Sequence, residues 1–378
     1  MHVQSEPEHV GLLELSRTGQ PSLALAAASS RSEALRLTAS GASRPSSRSW
    51  HRRPSRTSLR VAYISADLLP EHPIGKLLLP LLECHDPERF HITLFSSSAQ
   101  GGAAARKRLA RKGFALRETA RDSSSQALAE SVAAARPHLA IELNSHTRGG
   151  RLDAMALRPA PVSATFLGYT GTSGATFIDY LPADRILVPP TTLRRYYTER
   201  LVYLSVEHVS HHALVFRSPP TEEAQPLQRR PRMAMSSWNA EKKVGADDWH
   251  VWNNIARRRP NVLLQQVVSR PAASGAQRLL EEARAAGLHA PRVALLRRVD
   301  QAGYFARIAA SQLALDAPRW NGVSSSLDVL WAGSPLVTMP LQMMLARMGA
   351  ALSRAIGSTD LVCASWREYE DASSGALL

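Results

Sequence analysis

The chain has 378 residues and a formal net charge of +14, with 44% apolar and 21% charged residues. This length exceeds a single compact core and suits two domains of ordinary size, and the composition is that of a folded protein. The two cysteines, Cys84 and Cys363, lie too far apart for metal-ligand or redox spacing. A disulfide scaffold and a cysteine-based zinc site are therefore excluded.

The positive charge does not by itself indicate a nucleic-acid partner. Only five of the 46 basic residues are lysines, and many arginines lie in alanine-rich segments such as 105–113 and 281–292. Such segments are typical of solvated helix faces, so we expect no nucleic-acid binding. Binding through a basic N-terminal segment remains the alternative, because cations gain affinity for phosphates by releasing counterions.

No stretch reaches the ~20 apolar residues that cross a bilayer, and the first ten residues lack the features of a signal peptide. We therefore expect a cytoplasmic or nuclear protein without a membrane partner. Residues 40–60 contain six arginines, seven serines and no acidic residue. We interpret residues 1–58 as a basic, disordered leader. An organellar transit peptide is the minor alternative, because acidic residues such as Glu6 and Glu8 are unusual in one.

After the leader, short apolar runs alternate with helical patterns, which predicts βαβ units and a parallel sheet. In chain order the segments are strands at 59–65, 90–97, 139–144 and 162–169, and helices at 75–84, 102–112 and 125–136. Residues 207–230 are polar and aperiodic and read as a linker. The same rhythm then restarts, with strands at 232–238, 262–268, 292–299, 313–317 and 335–340. We expect an α/β protein with two Rossmann-like lobes, 59–206 and 231–378, facing a cleft, as in GT-B glycosyltransferases.

Several segments resemble the catalytic region of protein O-GlcNAc transferases and SPINDLY-like proteins. The most specific is LNSHTRGGRLDAMALRPAPVSATFLGYTGTSGATFIDYLPAD at 143–184. Three more agree in order, at 61–96, 236–264 and 313–340, so the resemblance covers residues 59 to about 370. That family carries an N-terminal array of 34-residue helical repeats, and no such repeat occurs in this sequence.

The resemblance implies an inverting transfer of N-acetylglucosamine from UDP-GlcNAc to Ser or Thr hydroxyls of a protein or peptide, with no cofactor and no metal. A sister group that transfers fucose from a GDP donor tends to read GYPNTTG where this chain reads GYTGTSG, which favours the GlcNAc type. The protein O-fucosyltransferase remains an alternative.

Lys243 follows a predicted strand and fits the family's F-N-x-x-x-K motif, which implies that it binds the pyrophosphate. From position alone it would be an ordinary surface lysine. The segment WNGVSSSLDVLW places Ser324 and Ser325 at a helix start, where backbone N–H groups favour a phosphate. Asp328 is one turn further and suits a ribose. Simple N-capping is the structural alternative for these serines.

In the N-terminal lobe, His72 precedes Pro73 as in the family's H-P pair, which implies a catalytic or acceptor-positioning role. The residues that match the family's sugar pocket lie in two further loops, and they are Asn144, His146, Thr147, Leu167 and Gly168.

Other positions depart from the family. Gln301 and Tyr304 stand where the resemblance implies a lysine and a histidine that hold the donor, and Ala240 and Val323 replace polar nucleotide contacts. The chain also ends at GALL, before the family's closing helices, so we expect a truncated C-terminal lobe. These departures favour a second hypothesis, a non-catalytic nucleotide-sugar-binding or interaction protein.

Overall fold

The computed structural model describes residues 20–39, 58–68, 72–96, 113–120, 123–205, 233–271 and 274–377. The chain divides into two compact units, Met1–His211 and His212–Leu378. The predicted linker at 207–230 and the helix predicted at 102–112 lie outside the described residues, as do residues 1–19 and 40–57 of the predicted leader. Each unit is described separately below.

Unit 1 is built on a parallel sheet in the order β3-β2-β1-β4-β5-β6-β7. Its strands are β1 (Leu59–Ser65), β2 (Phe90–Ser96), β3 (Ala115–Glu118), β4 (Leu139–Glu142), β5 (Val162–Thr165), β6 (Tyr180–Asp184) and β7 (Arg200–Leu204). Its helices are α1 (Pro21–Ala39), α2 (Pro73–Glu83), α3 (Ser125–Ala134) and α4 (Leu152–Ala156), with a 3-10 turn at Arg194–Tyr196. The strand order reverses between β1 and β4.

The centre of strand β1, residues 61–64, is buried on both faces, which explains its unbroken apolar sequence. Val61 and Tyr63 pack into one core cluster with α2, whereas Ala62 and Ile64 pack into a second cluster on the opposite face. Successive side chains of a strand point to opposite faces, and a parallel sheet covered on both sides needs apolar residues at every position.

The expectation of a disordered leader was wrong for residues 21–39. They form α1, which buries Ala24, Ala28 and Ser32 along one face. Spacing by four places these small residues on one side of a helix, where they allow a close approach. Ser32 Oγ donates a 2.6 Å hydrogen bond to the carbonyl of Ser173. The buried face consists of small residues rather than strongly apolar ones, so the hydropathy pattern of the sequence gives little indication of a buried helix.

Unit 2 contains a second parallel sheet, in the order β10-β9-β8-β11-β12. Its strands are β8 (Met233–Ser237), β9 (Val262–Val268), β10 (Val293–Arg297), β11 (Leu313–Leu315) and β12 (Leu336–Val337). Its helices are α5 (Ala246–Arg258), α6 (Ser274–Ala285), α7 (Gln301–Ala309), α8 (Ser324–Trp331), α9 (Met348–Ala355) and α10 (Trp366–Gly375), with 3-10 turns at Glu241–Lys243 and Met344–Ala346. Here the order reverses between β8 and β11. The predicted α/β class with parallel sheets is confirmed.

The core of unit 2 fixes the end of β11. Trp249 and Trp252 of α5 and Tyr369 of α10 are fully buried in one cluster with β11. Trp252 Nε1 donates to the Tyr369 hydroxyl at 3.3 Å, and that hydroxyl donates to the carbonyl of Asp316 at 2.9 Å. A buried tyrosine hydroxyl needs such a partner. The α10 helix therefore anchors the backbone at the start of the loop that follows β11.

Candidate functional site

In unit 2, two polar side chains bridge the point where the strand order reverses. Asn239 follows β8, Asp316 follows β11, and Asn239 Nδ2 donates to Asp316 Oδ1 at 3.0 Å. Both residues are buried. Open parallel sheets bind ligands at the carboxyl ends of the strands on either side of such a reversal. The pair therefore marks the expected ligand position of this unit.

Asp316 also organises the loop that leads to α8. Its Oδ1 accepts from Gly322 N at 2.8 Å, and its Oδ2 accepts from Thr338 Oγ1 at 3.1 Å. Burial raises the pKa of Asp316 to about 6, while the hydrogen bonds from Gly322 and Asn239 and the charge of Lys243 act in the opposite direction. The carboxylate thus ties both flanking strands to the backbone just before α8.

Lys243 lies at the end of a 3-10 turn close to this carboxylate. Its ammonium group donates to the carbonyl of Asn321 at 2.8 Å and lies 5.4 Å from the ring centre of Trp320. The residue keeps some solvent exposure, yet burial lowers the pKa of Lys243 to about 8, against the opposing charge of Asp316 and with a smaller contribution from Lys242. It is therefore a desolvated cation beside a helix start.

The N-terminus of α8 receives no side-chain cap. Val323 occupies the cap position and makes no capping hydrogen bond, and Ser324 is the first helical residue. Ser325 Oγ donates to Asn239 Oδ1 at 3.4 Å, and Ser326 Oγ donates to the carbonyl of Gly322 at 3.0 Å. The N-capping alternative for these serines is not what the structure shows. The first N–H groups of α8 have the polarity that an anion requires.

Asp328 is held by a residue that departs from the family pattern. The hydroxyl of Tyr304 is hydrogen-bonded to the Asp328 carboxylate, and burial together with this charge raises the pKa of Tyr304 well above its usual value. The Tyr304 ring packs edge-on against Trp238, with ring centres 5.6 Å apart. The carboxylate that suits a ribose is thus already engaged by a side chain of α7.

In unit 1, Asn144 occupies the corresponding reversal between β1 and β4. Its Oδ1 accepts from Ser65 Oγ at 2.8 Å and from Ala66 N at 3.1 Å. Its Nδ2 donates to Asp67 Oδ2 at 2.6 Å and to the carbonyl of Arg148 at 3.2 Å. All the hydrogen-bonding positions of this buried amide are therefore used to join the loops after β1 and β4.

Glu142, at the end of β4, is a functional candidate that the sequence analysis missed. It is fully buried, and its carboxylate accepts from the backbone N–H groups of Asn144, Ser145 and Arg151 at 3.2, 2.5 and 3.1 Å. Burial raises the pKa of Glu142 to about 7, against the effect of these donors. Its role is to shape the loop that carries Asn144, His146 and Thr147.

His146 and Thr147 complete this loop. The buried His146 ring pairs its Nε2 with the carbonyl of Ser173 at 2.7 Å and packs edge-on against Tyr169. Thr147 Oγ1 donates to the carbonyl of Asn144 at 2.7 Å. The Ser173 segment is in turn fixed by the buried Glu199, which accepts from Thr172 Oγ1 at 2.7 Å and from Ser173 N at 2.5 Å. The sequence analysis did not single out Glu199.

Leu167 and Gly168 form a tight turn after β5. Leu167 has a φ of 76°, in the left-handed region that disfavours side chains. A Cβ on Gly168 would collide with the carbonyl of Leu143 and with Ile74 Cδ1. Only glycine fits this close approach between the loops after β4 and β5.

His72 caps α2. Its Nδ1 accepts from Ile74 N at 3.3 Å, and its Nε2 lies 3.7 Å from Asp67 Oδ1. Within unit 1 the structure thus connects His72 and Asn144 through Asp67, whereas His146 belongs to a neighbouring network around Ser173. Within unit 2, Ser325 contacts Asn239, which is bonded to Asp316, and Lys243 donates to the carbonyl of Asn321. Asp328 pairs with Tyr304 instead.

Both units have α/β folds with polar side chains at the strand-order reversals of their parallel sheets, the position at which such sheets bind ligands. Comparison with a solved structure gives the fold more closely. The O-GlcNAc transferase of Thermobaculum terrenum, solved as a lysine-to-methionine mutant, superimposes with a TM-score of 0.84 at 25% identity, covering 98% of this chain and 69% of that one. The fold is therefore of the GT-B type.

The sequence profile of glycosyl transferase family 41 matches residues 24–220 and 231–375. The chain belongs to this family. It is 28% identical, over 83% of its length, to the probable UDP-N-acetylglucosamine–peptide N-acetylglucosaminyltransferase SEC of Arabidopsis thaliana, of which it covers 32%. It is 22% identical, over 82% of its length, to the enzyme of that description from Caenorhabditis elegans, of which it covers 36%. The chain thus spans about a third of the length of these curated relatives.

Proposed function

We propose that this chain transfers N-acetylglucosamine from UDP-GlcNAc to Ser or Thr hydroxyls of proteins. The observation that carries the proposal is the desolvated ammonium group of Lys243, which shares the strand-order reversal of unit 2 with the uncapped start of α8. The relatives named as peptide N-acetylglucosaminyltransferases support the choice of sugar and acceptor.

Lys243 is proposed to stabilise the leaving UDP. As the bond between the sugar and the diphosphate breaks, negative charge grows on the phosphate oxygens, and a preorganised cation in a low-dielectric setting stabilises that charge. Ser324 and Ser325 would add hydroxyl and backbone donors at the α8 start, and Asp328 would accept from the ribose. One good charged donor of this kind contributes on the order of 10²–10³ in rate.

The remaining predicted residues are proposed to bind the sugar or the acceptor. Asn144, His146, Thr147, Leu167 and Gly168 belong to the loops that follow β4 and β5, and Gly168 allows these two loops to pack closely together. Most of their polar side chains are already used within the loops, so their backbone groups are the better candidates for sugar contacts.

We also propose that transfer needs no metal ion, because Lys243 and the α8 N–H groups supply the positive charge that a metal provides in other transferases. A chelator such as EDTA should then leave turnover unchanged. A loss of turnover that added Mg²⁺ restores would show that an ion supplies this charge.

A second function, nucleotide-sugar binding without transfer, is favoured by one observation. Tyr304 holds Asp328, and Gln301 replaces a charged donor, so the nucleotide site lacks groups that the family resemblance implies. Binding of UDP without any turnover would support this alternative.

The cellular location is proposed to be the cytoplasm or nucleus. Both cysteines are free thiols, as expected in a reducing compartment. None of the helices in the described part of the chain has the length and apolar character needed to cross a membrane. Fractionation of cells that express the chain tests this location.

The test of the proposed function is transfer of labelled sugar to a serine-rich peptide and to a matched alanine peptide. UDP-GlcNAc should label only the serine peptide. Labelling from GDP-fucose instead would show that the chain is the fucose-transferring alternative.

A further inference from the structure

Asp67 is a carboxylate at the strand-order reversal of unit 1 to which no role has been assigned. It lies two residues beyond β1, and its side chain is 25% exposed. Ser65 Oγ accepts from its backbone N–H at 2.9 Å, which fixes the turn. Its position is therefore the one at which a parallel sheet offers groups to a ligand.

Asn144 donates to one oxygen of Asp67, and within the described residues the other oxygen accepts no hydrogen bond. Because Asn144 Oδ1 accepts from two donors, Ser65 Oγ and Ala66 N, the amide can only be oriented with Nδ2 toward Asp67. The resulting 2.6 Å bond goes to Oδ2. His72 Nε2 lies 3.7 Å from Oδ1, which is beyond hydrogen-bond distance.

The same geometry argues against His72 as the base. Its Nδ1 accepts the backbone N–H of Ile74. A neutral imidazole with an accepting Nδ1 carries its proton on Nε2, and that nitrogen faces Asp67. To accept a further proton, His72 would have to give up its cap of α2. Its Nε2–H instead points toward Asp67 Oδ1, 3.7 Å away, and adds positive polarity beside that carboxylate.

The other carboxylates that end central strands of unit 1 are enclosed. Glu142 is fully buried with three backbone donors, and Asp184, the last residue of β6, is 3% exposed and accepts from two backbone N–H groups. Of these three carboxylates, Asp67 is the one that combines a fixed orientation with a partly exposed side chain.

We propose that Asp67 is the general base of the transfer and that His72 positions it. This rests on the proposed function. Asp67 Oδ1 takes the proton of the acceptor hydroxyl as the hydroxyl oxygen bonds to the anomeric carbon of GlcNAc. The bond from that carbon to the diphosphate oxygen breaks, and its electron pair leaves with UDP. The proton on Asp67 then passes to solvent.

The test compares transfer of GlcNAc to the serine peptide with UDP affinity measured by calorimetry, in the full chain. Asp67→Asn keeps an acceptor for Asn144 but loses the basic carboxylate, so kcat should fall about 10²–10⁴-fold. Its UDP affinity should stay within about twofold of wild type, because the proposed UDP site lies in unit 2. Asp86→Asn is the charge-matched control. Asp86 precedes β2 and therefore lies at the opposite, amino edge of the parallel sheet, and its replacement should leave kcat unchanged.

A second variant separates chemistry from structure. In Asp67→Ala, sodium formate should restore turnover at least tenfold, since a small carboxylate can occupy the vacated position, whereas a purely structural role would show no rescue. His72→Asn, which keeps a capping oxygen, should lose less activity than Asp67→Asn. An active wild type with unimpaired Asp67→Asn would overturn the assignment. A wild type that neither transfers nor hydrolyses UDP-GlcNAc would instead overturn the proposed function.

Discussion

The amide of Asn239 and the carboxylate of Asp316 join the carboxyl ends of β8 and β11 through a 3.0 Å hydrogen bond. In unit 1, Asn144 and Ser65 make the corresponding 2.8 Å connection between the loop after β4 and the last residue of β1. In both units an asparagine bridges the point where the strand order reverses. In unit 2 the bridge also brings Asp316 close to the Lys243 cation.

The charge state of Lys243 should limit UDP affinity at alkaline pH. Burial lowers its pKa to about 8, so the ammonium form is present below that value and is lost as the pH rises through it. Between pH 7 and 9.5 the phosphates of UDP are already ionised. Calorimetry should therefore show affinity that is steady near pH 7 and declines above about pH 8, up to tenfold per pH unit. Binding in Lys243→Ala should lack this decline.

Asp316→Asn should move that decline to lower pH. The negative charge of Asp316 raises the pKa of Lys243 and partly offsets the lowering by burial. Without that charge, the pKa of Lys243 should be lower still. The midpoint of the affinity loss should fall below the wild-type midpoint. Thr338→Val is the matched control, because it removes one hydrogen bond to Asp316 without changing the charge. Equal midpoints in wild type and Asp316→Asn would show that Asp316 does not set the charge of Lys243.

Gln301→Lys should tighten UDP binding. Gln301 begins α7, where the family resemblance implies a lysine for the diphosphate. A charge-assisted hydrogen bond contributes about 1.5–3 kcal/mol, which corresponds to roughly tenfold or more in affinity. Gln277→Lys adds the same charge to the first turn of α6 and should have little effect. Equal affinities for the two variants would mean that position 301 does not reach the diphosphate.

Gly174→Ala should destabilise unit 1 more than Gly113→Ala. Both glycines have positive φ, 65° and 79°, so each alanine substitution adds a similar backbone strain of about 1 kcal/mol to the folded state. A Cβ at Gly174 would also strike the backbone of Ala28 and Ser29 in α1, whereas a Cβ at Gly113 meets nothing within 4 Å. Thermal unfolding should give a lower midpoint for Gly174→Ala. Identical midpoints would show that α1 does not pack against the 171–174 loop.

Much of the sheet architecture could be predicted because the buried strands are mostly apolar segments that alternate with helical patterns. The predicted runs at 59–65 and 262–268 match β1 and β9. Strand β3 was missed, since Ala115–Glu118 is a short edge strand with mostly exposed residues. Helix α1 was missed because its buried face consists of small residues, whose burial depends on the close approach of Gly174.

The candidate site was only partly predictable. Lys243 and Asn144 lie in motifs of the family, so their positions could be read directly. Asp67, Glu142 and Asp316 were not singled out in the sequence, because each is defined by partners that the fold brings together. Asp316, for example, contacts Asn239 across 77 positions of sequence. The hydrogen bond from Tyr304 to Asp328 could not be predicted from the sequence either, because it depends on how α7 packs beside α8.

The most direct test of the account is calorimetry of UDP with the full chain and two lysine variants, combined with GlcNAc transfer to the serine peptide. Lys242 is the exposed neighbour of Lys243 and provides the matched control. We predict that wild type and Lys242→Ala bind UDP and transfer the sugar alike, whereas Lys243→Ala binds at least tenfold more weakly and shows no turnover. Wild-type affinity and turnover in Lys243→Ala would contradict the central claim that Lys243 stabilises the leaving diphosphate.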